Sequence, residues 1–200
     1  MQTIELQKVA SQVRRDILRQ VHGCQSGHPG GSLGCTDLLV ELYFNSMTLK
    51  TDASGKVVFQ MDGLNEDVFF LSNGHISPLL YSVLARRGYF PVAELASFRK
   101  LNTRLQGHPT PHEHLEGIRI ASGSLGQGLS VAIGVAQAKK LNGDSSIVYC
   151  LMGDGEQNEG QVWEAAMYAP HHQVNNLIAF IDENGQQIDG PTEKVMNNLD

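Results

Sequence analysis

The sequence predicts an α/β domain whose sheet contains parallel strands. Two continuous apolar runs of strand length, residues 146–152 and 176–181, flank a segment of helical character over 160–168. This order is typical of a β-α-β unit whose strands are buried on both faces. A right-handed crossover would place the carboxyl ends of both strands at one edge of the sheet. The 200-residue length also suits one domain with a sizeable core.

The N-terminal part of the chain has a helical pattern interrupted by glycines. Apolar residues at three- and four-residue steps predict an amphipathic helix that begins near Leu6 and stops at Gly23. The Gly-rich stretch 26–31 predicts a loop. A second apolar stretch predicts a helix over 37–44, with Thr36 as its N-cap.

The middle of the chain alternates irregular and regular segments. Asp, Ser and Gly over 51–66 predict a surface excursion, and the apolar residues 67–71 predict a short strand. Proline at the first position and apolar residues at helical spacing predict helices over 78–87 and 91–101. The stretch 105–116 is rich in His and Pro and predicts a loop.

The almost wholly apolar stretch 129–136 predicts a helix that begins near Gly126 and is buried on several sides. In the helix over 160–168, we expect Trp163 to pack in the core or at a dimer contact. His171 and His172 are expected at the solvated end of that helix.

Composition excludes several classes of function. The net charge is −6, and the 15 Lys and Arg residues are scattered, so we expect no nucleic-acid partner. Cys24, Cys35 and Cys150 are odd in number and match no disulfide framework, which favours a reducing, cytoplasmic location with the thiols as small buried side chains. The start of the chain matches no secretory signal, and no apolar stretch is long enough to predict a membrane span.

Polar residues follow both strands of the predicted β-α-β unit. Gly153-Asp154-Gly155 ends the first strand, and Asp182-Glu183-Asn184 ends the second. Because parallel strands end at one sheet edge, Asp154 and Asn184 should meet there. Carboxylate and amide oxygens suit Mg²⁺, and the flanking glycines allow a diphosphate to approach the backbone. Either motif alone would more often be a simple turn.

These residues and four earlier motifs resemble the transketolase family, whose N-terminal signatures occur here in the family's order. The matching segments are Ser26-Gly27-His28-Pro29-Gly30, Leu71-Ser72-Asn73-Gly74-His75, Gln106-Gly107-His108-Pro109, Gly123-Ser124-Leu125-Gly126-Gln127-Gly128, and Gly153 to Gly160 with Asp182 to Asn184 and Ile188 to Gly190. Each segment alone is a weak signal, but the combination is specific. The resemblance implies a three-layer α/β/α fold with a mainly parallel sheet, the thiamine diphosphate-binding fold.

The resemblance also implies a set of site residues around thiamine diphosphate and Mg²⁺, for which Ca²⁺ or Mn²⁺ could substitute. Asp154, Asn184 and the main-chain carbonyl of Gln186 would bind the metal. The cofactor would contact His75, Gly123, Ser124, Leu125, Gly153, Asp154, Gly155 and Asn184. Glu159 would lie at the interface between paired active sites.

Three histidines are the predicted catalytic residues. By resemblance, His28, His75 and His108 would surround the thiazolium ring and the substrate. Transfer of a two-carbon ketol unit moves protons from and to hydroxyl groups near neutral pH, and imidazole has a suitable pKa. Each histidine follows a glycine at a predicted loop. A structural hydrogen bond beside a turn is the alternative role for any one of them.

The resemblance implies a ketol transferase of the pentose phosphate pathway that acts on sugar phosphates. The family's pyrimidine-binding domain, with the glutamate that activates the cofactor, matches no part of residues 1–200. We therefore expect a diphosphate-binding domain that lacks its C-terminal part and depends on a partner chain or a further domain. The residues most resemble the N-terminal subunit of split transketolases, which predicts a homodimer or a heterotetramer.

Three alternatives remain open from the sequence. A related 1-deoxyxylulose-5-phosphate synthase would use pyruvate, although the Gly-Gln-Gly run at 126–128 fits it less well. A cofactor-binding module without turnover is the non-enzymatic alternative. His108, His112 and His114 could form a zinc cluster, but no cysteine accompanies them and the Pro-rich loop gives no preset geometry.

Overall fold

A computed structural model describes residues 1–197 of the chain. Two compact units divide these residues. The first unit contains residues 1–66 and 74–121, and the second contains residues 67–73 and 122 onward. The first unit carries most of the helices, and the second carries the sheet.

The first unit is built around a long N-terminal helix, α1 (Thr3–Cys24). The predicted amphipathic helix is confirmed, because Ala10, Val13 and Ile17 are buried along one face. The helix packs against the short helix α3 (Thr36–Glu41) and the apolar helix α4 (Ser77–Arg87), which confirms the helix expected over 78–87. Gln20 is buried in α1 and donates to the Ser82 hydroxyl of α4 at 2.7 Å.

The stretch predicted as a loop over 26–31 is partly helical. Helix α2 (Pro29–Gly34) begins with a proline in its first turn, where the missing N–H costs no hydrogen bond. The Ser32 hydroxyl donates to the His28 carbonyl at 2.7 Å, and the Thr36 hydroxyl donates to the Ser32 carbonyl at 2.9 Å. Cys35 is the N-cap of α3 and Thr36 is its first residue, so the prediction that Thr36 is the N-cap was wrong.

Irregular segments complete the first unit. A π-helical turn at Leu42–Ser46 follows α3, and the expected excursion over 51–66 contains only an isolated bridge between Thr51 and Val57. The helix expected over 91–101 is instead a 3₁₀ helix at Val92–Ser97, because the next residue, Phe98, leaves helical geometry with its side chain buried. Another short 3₁₀ helix, Pro111–Glu113, lies in the predicted loop.

The second unit is organised by a parallel sheet with the strand order β1-β2-β3. The strands are β1 (Val68–Leu71), β2 (Val148–Gly153) and β3 (Leu177–Asp182). The connection from β2 to β3 contains α6 (Gly160–His171), which confirms the predicted β-α-β unit. Helix α5 (Gly128–Leu141) packs against the sheet and α6. The helix itself is confirmed, but the prediction that it is buried on several sides was wrong, because Leu129, Ala132 and Ile133 are buried on one face while Val131 is exposed.

Burial differs between the strands. Residues 148–152 of β2 are buried, as predicted, because β2 has a neighbouring strand on each side. The same prediction was wrong for β3, where Ile178 and Ile181 are 43% and 49% exposed. Within residues 1–197, β1 and β3 are the two outer strands of the sheet, and β3 pairs only with β2.

Smaller elements follow β3. Strands β4 (Gln186–Gln187) and β5 (Gly190–Pro191) form an antiparallel pair, and α7 (Thr192–Val195) follows. Trp163 is not a core residue, since its side chain is 38% exposed and its indole N–H donates to the Gln157 carbonyl at 2.8 Å. His171 and His172 are exposed, as expected.

The cysteine prediction is confirmed for two of the three thiols. Cys35 and Cys150 are buried, whereas Cys24 is partly exposed, and all three are free. No helix within residues 1–197 combines the length and the apolar character needed to cross a bilayer.

Candidate functional site

The carboxyl ends of β2 and β3 lie side by side in the second unit. Gly153 is paired with Asp182 in the parallel register, and the Asp154 N–H donates to the Asp182 carbonyl at 3.2 Å. The chain therefore leaves both strands at the same point, as the sequence predicted. This edge of an open α/β sheet is where ligands bind.

The carboxylate of Asp154 connects the two strand ends. Asp154 is only 3% exposed. Oδ1 accepts from the Gly155 N–H and Oδ2 accepts from the Gly185 N–H, each at 2.7 Å. Gly185 has a φ of 73°, which places this N–H in a turn that favours glycine. The sequence 184–186 is thus held against Asp154 through the backbone.

The turn after β3 presents the other predicted metal ligands. Asn184 Oδ1 accepts from the Gln186 N–H at 2.9 Å, and Asn184 Nδ2 donates to Asp182 Oδ2 at 3.0 Å. Within residues 1–197, no group of three or more His, Cys, Asp or Glu side chains could hold a metal. A metal at this edge would therefore depend on one carboxylate together with amide and carbonyl oxygens, a donor set that suits Mg²⁺.

An unpaired amide lies beside Gly155. Gln187 Nε2 is buried and has no hydrogen-bond partner among the described residues. The side chain lies against Gly155, where an added Cβ would be 2.9 Å from Gln187 Cβ. A buried N–H donor without an acceptor is costly. The site therefore fits a ligand with anionic oxygens, such as a diphosphate.

Gly123, Ser124 and Leu125, which the resemblance implies as cofactor contacts at the aminopyrimidine, lie in the irregular segment before α5 of the same unit. The Leu125 carbonyl accepts from Gln161 Nε2 at 3.3 Å. The interface residue predicted from the sequence, Glu159, is exposed and directly precedes α6. A Cβ added at Gly126 would lie 2.8 Å from the Cβ of Glu159, so the glycine at position 126 permits Glu159 to pack closely against it.

The predicted catalytic histidines all belong to the first unit. The rings of His28 and His75 are edge to face with centroids 4.9 Å apart. His28 precedes α2, and His75 lies in the 3₁₀ turn Gly74–Ile76 before α4. His108 is exposed in the loop after Leu105. His112 and His114 of the zinc alternative are exposed as well.

Arg99 lies beside two of the histidine-bearing loops and was missed by the sequence reasoning. Its Nη1 donates to the Ser26 hydroxyl at 2.9 Å, two residues before His28. Its guanidinium also lies against Gly107, where an added Cβ would be 2.8 Å from Cζ. A side chain at position 107 would displace the guanidinium. The glycine before His108 therefore makes room for this arginine.

Partial desolvation and nearby positive charge lower the pKa values of His28 and His108. Partial desolvation lowers the pKa of His28 below its usual value of about 6.5, and the charges of Arg99 and His108 lower it further. Partial desolvation followed by the charge of Arg99 lowers the pKa of His108. Near neutral pH both rings are mainly neutral and can accept a proton.

The fold is an α/β domain with a parallel sheet, and the candidate site lies at the carboxyl ends of β2 and β3. A family model described as the thiamine diphosphate binding domain of transketolase matches residues 6–199. The chain belongs to this family. The predicted membership and the predicted thiamine diphosphate-binding domain are confirmed.

Known relatives include components of split transketolases. The chain is 39% identical over 194 residues to the 6-deoxy-6-sulfo-D-fructose transketolase subunit of Clostridium sp. (strain MSTE9), covering 97% of this chain and 68% of that protein. It is 36% identical over 197 residues to an apulose-4-phosphate transketolase subunit of Phocaeicola vulgatus, covering 98% of this chain and 66% of that protein. These relatives support the predicted similarity to split enzymes.

A solved transketolase has the same fold. The Campylobacter jejuni enzyme superimposes with a TM-score of 0.86 at 32% identity, over 99% of this chain and 31% of that chain. This similarity confirms the predicted fold class. The chain spans about two thirds of the split subunits above and under a third of this longer enzyme.

Three side chains were not identified from the sequence. Glu156 directly follows Gly153-Asp154-Gly155 within the recognised segment Gly153 to Gly160, yet only the structure shows that its carboxylate is buried. Gln187 occupies a two-residue strand with no periodic pattern, so no sequence signal identifies it. Arg99 has a φ of 56°, and its role depends on contacts with residues distant in sequence. Only the Gly-Asp-Gly segment carried a usable signal.

Proposed function

We propose that the chain is the diphosphate-binding part of a transketolase, which transfers a two-carbon ketol unit from a ketose phosphate to an aldose phosphate. The observation that carries the proposal is the junction of Asp154 with Gly185 at the carboxyl ends of β2 and β3. Family membership supports thiamine diphosphate as the ligand of this junction. Mg²⁺ is the proposed metal, with Ca²⁺ or Mn²⁺ as substitutes.

The proposed metal ligands are Asp154, Asn184 and the carbonyl of Gln186. Gly153, Gly155 and His75 would contact the diphosphate region, and Gly123, Ser124 and Leu125 would line the pyrimidine. The buried carboxylate is the only charged member of the metal set. It would offset the metal's charge while backbone N–H groups and Gln187 Nε2 bind phosphate oxygens.

When bound, thiamine diphosphate supplies the nucleophilic carbon and the electron sink that ketol transfer requires. His28 and His108, whose pKa values are lowered, are proposed to accept protons from substrate hydroxyl groups. The edge-to-face contact with His28 restrains the orientation of His75. Arg99 binds the Ser26 hydroxyl and packs against Gly107, next to two of these rings in the sequence.

A partner is proposed to complete the active site. The family's second domain supplies a glutamate to the pyrimidine, and a C-terminal subunit or a further domain would carry it here. Exposed Glu159 is the residue proposed for the contact between paired sites, in a homodimer or a heterotetramer. The proposed compartment is the cytoplasm, and the proposed pathway is the pentose phosphate pathway.

The test measures product formation after the purified chain is mixed with a candidate C-terminal transketolase subunit. The two relatives are named for different sugars, so the donors should include a ketose phosphate, 6-deoxy-6-sulfo-D-fructose and pyruvate. Ketol transfer from a ketose donor is expected. Turnover with pyruvate alone would instead identify a synthase. Tight cofactor binding without transfer for any partner would indicate a binding module.

A matched variant makes the assay specific to this chain. His108→Asn should keep the backbone of its exposed loop and remove the titratable ring, and transfer should fall by about 100-fold or more. His114→Asn changes an exposed histidine in the same region and should leave the rate unchanged. Equal rates for both variants would contradict the role assigned to His108.

A further inference from the structure

Glu156 is a buried carboxylate that the proposed chemistry does not use. The residue is 1% exposed and follows Gly155 in the 3₁₀ turn Gly155–Asn158. Oε1 accepts from the Gly126 N–H at 2.7 Å and from the Ser72 hydroxyl, and Oε2 accepts from the Gly153 N–H at 3.0 Å. The ion pairs found within residues 1–197 do not include this carboxylate. Its charge is thus compensated by hydrogen bonds.

Ser72 extends this network to the first turn of α5. Its hydroxyl oxygen accepts from the Gly128 N–H at 3.1 Å while its hydrogen goes to Glu156. Packing here is tight, since a Cβ added at Gly128 would lie 2.4 Å from Ser72 Cβ. A glycine is therefore required at position 128. The network joins the end of β1, the start of α5 and the end of β2.

The segments that Glu156 joins differ in how many other contacts fix their backbone. Gly153 is fixed by the parallel register with Asp182, so its position does not depend on Glu156 alone. Residues 122–127 belong to no helix or strand, and Gly126 has a φ of 82°. Within this segment, the buried anchor is the hydrogen bond from the Gly126 N–H to Glu156. Loss of Glu156 should therefore affect the loop before α5 most.

We propose that Glu156 is the positioning residue that sets the backbone of Gly123–Gly126 for the heterocyclic end of the cofactor. This inference rests on the proposed function, in which Gly123, Ser124 and Leu125 line the pyrimidine. The carboxylate acts through the Gly126 N–H and does not itself touch the ligand. An amide cannot replace it, because its NH₂ group would face one of the backbone N–H donors.

The test measures the affinities of two ligands and the hydrogen-exchange rates of two amides in the ligand-free chain. Calorimetry compares thiamine diphosphate with inorganic pyrophosphate, both with Mg²⁺, and hydrogen exchange follows the Gly126 and Gly128 amides without ligand. For Glu156→Ala, which removes both acceptor oxygens, we expect faster exchange at Gly126 and at least about a tenfold loss of thiamine diphosphate affinity. Pyrophosphate affinity should change by less than about threefold, since Asp154 and Gly155 remain in place.

A second variant guards against loss of folding. Ser72→Ala keeps the carboxylate but removes the hydroxyl, so hydrogen exchange should be faster at Gly128. The affinity for thiamine diphosphate should fall by a smaller factor than in the Glu156 variant. Glu164→Gln removes one charge from an exposed position in α6 and should change neither readout. A general folding defect would lower the affinities for thiamine diphosphate and for pyrophosphate equally. That result would overturn the proposal.

Failure of the proposed function gives a different result. If the unchanged chain bound neither ligand, the assignment of the cofactor would be wrong. Hydrogen exchange would still decide whether Glu156 holds the loop. Unchanged exchange at Gly126 in Glu156→Ala would overturn the positioning role whatever the ligand.

Discussion

Replacement of Asp154 is the most direct test of the metal site. The carboxylate is nearly fully buried and accepts the N–H groups of Gly155 and Gly185 at 2.7 Å each. Asp154→Ala would leave both donors without an acceptor, at a cost of about 1–3 kcal/mol each or about 2–6 kcal/mol together. The free energy of unfolding of the ligand-free chain should fall by that amount, which denaturant titration measures.

The effect on binding should be larger than the effect on folding. Changing an outer-shell partner already costs about 10- to 100-fold in metal affinity. Loss of the only charged ligand should therefore cost at least about 100-fold, and calorimetry with thiamine diphosphate and Mg²⁺ measures it. Asp154→Asn keeps the shape of the side chain and one acceptor oxygen. It separates the loss of charge from the loss of stability.

A matched control removes a neighbouring charge. Glu183→Gln changes an exposed side chain in the same turn and should alter affinity by less than about threefold. The assignment of Asp154 as the metal ligand would be refuted by unchanged Mg²⁺-dependent affinity in a folded Asp154→Asn variant.

Further predictions concern the diphosphate, a buried ion pair and pH. Gln187→Glu replaces a buried donor beside Gly155 with a negative charge, so pyrophosphate affinity measured by calorimetry should fall by more than about tenfold. Arg119→Met leaves the buried Glu66 carboxylate without its 2.6 Å ion pair, and denaturant titration should show a loss of about 3–5 kcal/mol. NMR titration should give pKa values below about 6.5 for His28 and His108. Because the folded state binds fewer protons at these sites, their stabilisation is complete above about pH 6.5 and is lost as pH falls through the folded pKa values.

Each of these predictions has its own control. Gln7→Glu adds the same charge at an exposed position of α1 and should leave pyrophosphate affinity unchanged. Arg15→Met removes an exposed arginine from α1 and should change stability by less than about 1 kcal/mol. The reference for the titration is the usual imidazole pKa of about 6.5. Measured pKa values of His28 and His108 at or above it would contradict the electrostatic argument.

Most helices and strands could be predicted from the sequence because the spacing of apolar residues within each segment indicates its secondary structure. The period of the apolar residues in α1 reflects burial of one helix face, and the apolar runs of β2 and β3 reflect strand formation. Register between parallel strands then places Asp154 near Asn184 without further information. The five family segments added the cofactor, which no periodic pattern could have supplied.

Errors occurred where tertiary contacts override local preference. The Gly-rich segment at Pro29–Gly34 forms a helix although glycine disfavours one, and the sequence predicted a loop there. The predicted burial of β3 was wrong because burial of an apolar strand depends on its neighbours. Neither outcome is encoded within the segment itself.

The sequence by itself determined the class of domain, its β-α-β unit and the residues that end the two strands of that unit. Only the tertiary structure decided that Glu156 turns inward to hold Gly126, that Gln187 brings an unpaired amide beside Gly155, and that Arg99 lies against Gly107. Each of these contacts joins residues that are distant in the chain or lie in irregular segments. Their side-chain directions follow from packing in three dimensions, which no local pattern records.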